Sequence, residues 1–210
     1  MPCTVRQSHP TGHALPRLSL DEFIVWENEQ PEKHEFVCGE VFAMVGARRV
    51  HNLVVGNVFA SIKQQLKGAP CQAFLDNAKL QPAAGDIFFY HDVFVTCGPQ
   101  DLRTDQIFRA PTVIVEVLSP STQANDRGLK FTLYRSLPSL REYALVDPDT
   151  REVQLFRRGD DGLFTLHDLT GAQHLRFASI ECSVQADDLF EGIERGVVTT
   201  ANTPADAPAP

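Results

Sequence analysis

Glu116 stands in the middle of an apolar run, Val113–Leu118, within the stretch Thr112–Lys130. An ionised carboxylate buried in a strand is costly unless something pairs with it. Two partners are close at hand in the sequence. Asp92 lies in a second apolar run, Phe88–Thr96, and Lys130 lies just beyond a Ser/Pro/Ser/Thr turn. If the two runs pair as strands, alternation puts Asp92 on the face of Phe88, Tyr90 and Phe94, and Glu116 on the face of Ile114 and Leu118. The two acids can then converge, while His91 points the other way with Phe89, Val93 and Val95. Two carboxylates and a backbone carbonyl beside Glu116, that of Val117, would suit Mg²⁺ at ~2.0–2.1 Å, with Mn²⁺ as a substitute. Such an ion activates water and polarises a phosphate. Lys130 can stabilise the hydroxide or the developing phosphorane charge. The chemistry indicated is phosphodiester hydrolysis. A blander reading stands level with it on the residues alone: Glu116 and Lys130 form a buried ion pair, with Asp92 in a turn.

The elements that must position these groups follow from patterning. Ser19 and Glu22 have capping-box spacing, and Leu20, Phe23, Ile24 and Trp26 give the helix after them an apolar face. His34–Cys38 and Glu40–Val45 read as a hairpin turning at Gly39. A helix is expected from about Val50 to Lys67, with Val50, Val54, Val58, Ile62 and Leu66 on its buried stripe. Phe88–Thr96 and Thr112–Leu118 are expected strands. Asp126 is placed to cap a helix running to Leu137. The remainder is β-rich: Glu142–Val146, Glu152–Arg157, Leu163–Leu169 and His174–Ile180, with turns at Asp147–Asp149 and Gly159–Gly162 and a helical turn at Ala186–Glu191. Tyr134 and Tyr143 are expected to pack with wet hydroxyls. The fold class is α/β (α+β), a central mixed β-sheet flanked by helices. Residues 1–17 read as a loose leader, 18–195 as the domain and 196–210 as a disordered Pro/Ala-rich tail.

Bulk properties narrow the function. The chain has 210 residues and a net charge of −8, which argues against a protein that coats nucleic acid by bulk electrostatics. It does not exclude an enzyme that meets phosphate through a metal ion. No apolar stretch approaches the ~20 residues that span a bilayer, and no secretory signal opens the chain, so the cytoplasm is the expected location. The five cysteines are odd in number and never spaced Cys-x-x-Cys, so reduced, core-filling thiols are expected.

The segments HEFVCGEVFAMVGARRVHNLVVGNV, FFYHDVFV, PTVIVEVLSPSTQANDRGLKFTLY and LPSLREYALVDPDTREVQLFRR resemble the Uma2 family (DUF820), part of the PD-(D/E)XK nuclease superfamily, over about Leu18 to Glu194. The resemblance implies a restriction endonuclease-like fold and Mg²⁺-dependent hydrolysis of nucleic acid. Asp92 would match the first acid of the motif and Glu116 the second. The lysine that usually follows two residues later is Leu118 here, so Lys130 would take over its function from the helix. Glu35, in the first hairpin, would be a further ligand or orient a metal-bound water. The family proline before the first acid is replaced by His91.

Other residues carry two readings each. His51, beside Asn52 at the start of the second helix, would contact phosphate or support Glu35; the alternative is a polar cap. Arg48, Arg49 and Arg127 would touch the DNA backbone or be solvated surface. Asp76 would approach the acids or occupy a turn. The leading expectation is an endonuclease acting on DNA as a homodimer, two sites facing two strands. Its rivals are a catalytically silent nuclease-fold module that binds nucleic acid or protein, and a phosphoesterase with a small substrate.

Overall fold

The computed structural model describes residues 17–194, apart from 45, 76–78, 83–85, 106 and 121. The expected leader up to residue 16, the tail and Asp76 lie outside the described residues. Helix α1, Leu20–Glu27, starts where the capping box predicts: the Ser19 N–H donates to Glu22 at 2.8 Å, and the Glu22 N–H donates back to the Ser19 hydroxyl. Its Phe23 stacks on Phe36 and Phe88. Strands β1, His34–Val37, and β2, Glu40–Ala43, form the expected hairpin. Its turn holds Cys38 and Gly39 at φ of 55° and 86°, a left-handed pair that glycine eases. Helix α2 runs Arg49–Gln65 and buries Val54, Val58 and Ile62.

Next come β3, Gln72–Leu75, β4, Lys79–Leu80, β5, Ile87–Phe88, β6, Val93–Thr96, β7, Ile107–Phe108, and β8, Pro111–Val117. The single strand expected over Phe88–Thr96 is therefore two strands. β5 pairs with β1, whereas β6 joins the main sheet, and Tyr90–Asp92 bridge the gap. A helix follows in pieces: α3, Gln123–Asn125, a π-helical turn, Asp126–Lys130, and α4, Phe131–Tyr134. Asp126 is not its cap. It lies inside the helix and is buried. β9, Glu142–Val146, β10, Val153–Arg158, and β11, Phe164–Asp168, fall close to the expected strands. β12, His174–Phe177, then pairs with β13, Cys182–Gln185, before the short α5, Ala186–Leu189. β13 is a strand that sequence patterning did not announce.

The main sheet is mixed, in the order β11-β10-β9-β8-β6-β3, with β8 and β9 parallel and the other pairs antiparallel. Alternation along β8 sorts its two faces. Val113, Val115 and Val117 pack with α2, β12 and β13. Ile114 and Leu118 pack with Tyr134, Leu137 and Tyr143, and Glu116 faces this second side. Tyr134 and Tyr143 are both fully buried, so their expected wet hydroxyls are corrected: the Tyr143 hydroxyl donates to the Asp126 carbonyl at 2.9 Å.

The reading of all cysteines as reduced is also corrected. Cys71 and Cys97 are bridged, and Cys38 is disulfide-bonded as well. Cys182 is a free, buried thiol. Pairing of Gln72 with Thr96 across β3 and β6 brings Cys71 and Cys97 together at the end of the ladder. Such a register is invisible in cysteine spacing. Among the described residues no helix is long and apolar enough to cross a membrane.

Candidate active site

Lys130 is the hub. The π-helical turn carries it inward, where its Nζ meets Glu35 Oε1 at 3.0 Å, Asp126 Oδ1 at 3.3 Å and Glu116 Oε1 at 3.5 Å. Nζ also donates to the Tyr90 carbonyl at 3.1 Å. That carbonyl is available because the backbone leaves the ladder between β5 and β6. Burial alone would lower the Lys130 pKa; the charges of Glu116, Glu35 and Asp126 outweigh it and hold it well above the ordinary lysine value. Lys130 is therefore a fixed ammonium, able to donate hydrogen bonds and supply charge but not to accept a proton.

The carboxylates around it are held the other way. Burial raises Glu116 well above the usual range, Lys130 opposes it, and Asp126, Asp92 and Glu35 add to the rise. Burial also raises Glu35 and Asp126, against the pull of Lys130. One cation thus shares three buried acids, and an added positive charge is favoured here.

Asp92 sits at the rim of this group. Its Oδ2 accepts from the Val117 N–H at 2.6 Å and lies 3.3 Å from His51 Nε2. Its own N–H donates to Glu116 Oε2 at 3.4 Å. The two acids are therefore neighbours, though by a different route from the one alternation predicts. The break before β6 shifts the pattern, so His91 packs with Phe94, ring centroids 4.6 Å apart, instead of with Val93 and Val95. His91 is 2% exposed and neither ring nitrogen has a hydrogen-bond partner. Burial and the nearby Lys130 push its pKa down to about 3, which leaves it a neutral packing residue.

His51 supports Asp92 rather than Glu35, and it is no cap: Arg48 occupies the cap position of α2, with no side-chain cap bond. Burial would lower the His51 pKa, but the hydrogen bond and charge of Asp92 raise it. The arginines stand apart. Arg48 is exposed and pairs with Asp149 at 2.5 Å, Arg49 is exposed at the first turn of α2, and Arg127 bonds Gln154 on β10. None of these three contacts the acids. The residue that sequence reasoning missed is Asp126. Its i,i+4 spacing to Lys130 was the available signal.

Mg²⁺ is held through one or two carboxylates and keeps several waters. Among the described residues no three His, Cys, Asp or Glu side chains are gathered as a ready metal cluster. Adjacent Asp92 and Glu116 nonetheless supply the hard oxygen pair, and Glu116 is a buried acid with weak compensation. The donor set fits such an ion in kind.

A family model for Uma2, described as "Putative restriction endonuclease", matches residues 20–185. An uncharacterized Synechocystis sp. protein, slr1290, is 34% identical over 186 residues, covering 89% of this chain and 98% of its own. A second, sll1609, is 31% identical over 157 residues, covering 73% and 88%. Among solved structures, one from Anabaena variabilis described as a "putative nuclease belonging to DUF820" superposes with a TM-score of 0.66 at 20% identity, covering 82% of this chain and 97% of that one. At that identity the likeness concerns the fold.

Proposed function

Because the chain belongs to the Uma2 family of restriction endonuclease-like proteins, we propose that it hydrolyses DNA phosphodiester bonds at the Asp92–Glu116–Lys130 site, using Mg²⁺ with Mn²⁺ as a substitute. The observation that carries this reading is the arrangement of two neighbouring acids, Asp92 and Glu116, beside one buried ammonium. Asp92, Glu116 and the Val117 carbonyl would hold the cation. When bound, it supplies an activated water and neutralises charge on the scissile phosphate.

The chain's own residues do the rest. The Val117 N–H and His51 fix the Asp92 carboxylate in place. Lys130, permanently charged, donates to the attacking oxygen or to the phosphorane as negative charge builds there. Glu35 and Asp126 hold the Lys130 amine from two sides, and Glu35 orients water at the rim. Arg48, Arg49 and Arg127 would contact backbone phosphates beyond the site. A homodimer would present two such sites to opposite strands, and light scattering on the purified chain measures that mass.

The test is cleavage of supercoiled plasmid and of single-stranded DNA with Mg²⁺ or Mn²⁺. Wild type should cut, and Asp92→Ala and Glu116→Ala should lose at least about 10³-fold, the scale on which transition-state electrostatics operate, while keeping their circular dichroism. Cleavage that survives in both variants refutes the assignment. Absence of cleavage and of metal binding in wild type moves the function to a silent binding module.

A further inference from the structure

The main sheet ends on β11, which pairs with β10 alone. Two bonds fix the phase of that ladder: the Gly159 N–H donates to the Leu163 carbonyl and the Leu169 N–H to the Val153 carbonyl, each at 2.8 Å. Bonded pairs alternate in an antiparallel ladder. Leu163, Thr165, His167 and Leu169 therefore spend their backbone groups on β10, while Phe164, Leu166 and Asp168 turn theirs outward. Among the described residues no strand lies beyond this edge. A native edge is usually blunted by lysine, proline or a bulge. The strand Phe-Thr-Leu-His-Asp has neither residue, and its register against β10 runs without a shift. The edge is also apolar: Leu163 is 68% and Leu166 49% exposed.

We propose that β11 pairs antiparallel with β11 of a second copy of this chain, about a two-fold axis at Leu166. In that register Leu166 meets its own copy, and its outward N–H and C=O close a bonded pair. Leu163 comes opposite the partner's Leu169, so both exposed leucines gain an apolar neighbour. Phe164 comes opposite the partner's Asp168, and the charges match there. The Arg158 guanidinium lies over the Phe164 ring, 4.5 Å from its centroid. Asp168 Oδ1 accepts from the Thr170 N–H at 2.9 Å, which leaves Oδ2 for that cation. Moving the axis to Thr165 sets Leu163 against the partner's His167 and loses the Arg158–Asp168 match. The pairing also orients the sites. Glu116, Leu145, Gln154 and Asp168 form one row across the sheet, on one face. Residues opposite each other in an antiparallel pair share a face, so both Glu116 side chains lie on the same side of one continuous sheet. Seven strand spacings of ~4.8 Å, with the offset along the strands, put them roughly 35 Å apart. Only the placing of two sites over one duplex rests on the nuclease reading; the interface does not.

The experiment measures the mass of the full chain by light scattering at about 100 μM, a concentration suited to a small interface, for wild type and Leu166→Lys. Cysteine trapping accompanies it, with Leu166→Cys and Thr165→Cys oxidised mildly beside wild type. Wild type is expected at twice the chain mass. Leu166→Lys sets two like charges on the axis and should run as a monomer with unchanged circular dichroism. Bonded partners have Cα atoms ~5.5 Å apart, so Leu166→Cys should trap a covalent dimer. The two copies of Thr165 lie ~8 Å apart, so Thr165→Cys should trap no more than wild type. A monomeric wild type, a dimer that survives Leu166→Lys, or equal trapping by the two cysteine variants overturns the proposal. Neither readout uses DNA or metal, so failure of the cleavage reading is scored separately.

Discussion

Two glutamates on neighbouring parallel strands are equally buried and treated in opposite ways. Glu142 opens β9 and is 1% exposed; Glu116 lies near the end of β8 and is 2% exposed. Glu142 is saturated. It accepts from Arg157 Nε at 2.8 Å, from the Ala178 and Ser179 N–H groups at 3.1 and 2.9 Å, and from the Ser179 hydroxyl at 2.5 Å. Glu116 has a lysine at 3.5 Å, which it shares with two other acids, and one backbone N–H at 3.4 Å. Burial therefore raises its pKa well above the usual range. A buried carboxylate with a full set of donors stabilises the fold. A buried carboxylate left short of donors costs stability and is ready for a further positive charge.

The contrast breaks first on stability. Glu142→Ala strands Arg157 and three further donor contacts, so it should cost about 3–5 kcal/mol in urea unfolding at pH 7. Glu116→Gln should stay within about 1 kcal/mol of wild type, because it removes an acid that was poorly served. The sign of its pH dependence follows. Native Glu116 keeps its proton to higher pH than the unfolded chain, so the native state binds more protons above the ordinary glutamate value of 4.5, and stability falls as pH rises through that window. Glu116→Gln should gain on wild type as pH increases. Equal losses in the two variants at pH 7 would erase the distinction.

Lys130→Met sharpens it. With the cation gone, Glu35, Glu116 and Asp126 face one another, and the loss at pH 7 should again be about 3–5 kcal/mol. It should shrink as pH falls toward the ordinary carboxylate range and the acids take up protons; a loss independent of pH would contradict the shared-cation picture. The Cys71–Cys97 bridge offers a control of a different kind. It closes a separation of 26 residues, and the double Cys→Ala variant should lose about 3 kcal/mol while keeping its cleavage rate per folded molecule. The smallest effect is expected at His91, whose ring nitrogens are unpartnered. His91→Leu should be neutral or stabilising by about 1 kcal/mol at pH 7. Wild type should lose stability as pH falls from 6.5 toward about 3, because the unfolded chain takes a proton the buried ring refuses. The variant should lack that part of the acid limb.

Much of the frame was legible because it is local. The Ser19–Glu22 box, the α2 stripe and Glu142–Val146 each follow from spacing within one element. Asp92, Glu116 and Lys130 could be named because charged groups in or next to apolar runs need partners. What escaped was set by relations between elements. The ladder break at Tyr90–Asp92 reverses which of His91 and Asp92 faces Phe94, and it depends on β5 pairing with β1 rather than with the main sheet. The π-helical turn carries Asp126 inward beside Lys130, whereas its position at the expected helix start made it a cap candidate. The disulfide depends on the register of β3 against β6. His51 was visible as a polar residue at a helix start, but its partner is chosen by where β6 begins.

The central claim is that Glu116 is kept short of donors so that a cation can complete it. The most direct measurement is the change in melting temperature with saturating MnCl₂, for wild type and Glu116→Gln side by side. The account predicts a clear rise in wild type, equivalent to about 2.7 kcal/mol when the ion is at a hundred times its Kd, and little or none in the variant. An equal rise in both proteins, or none in wild type, would contradict it.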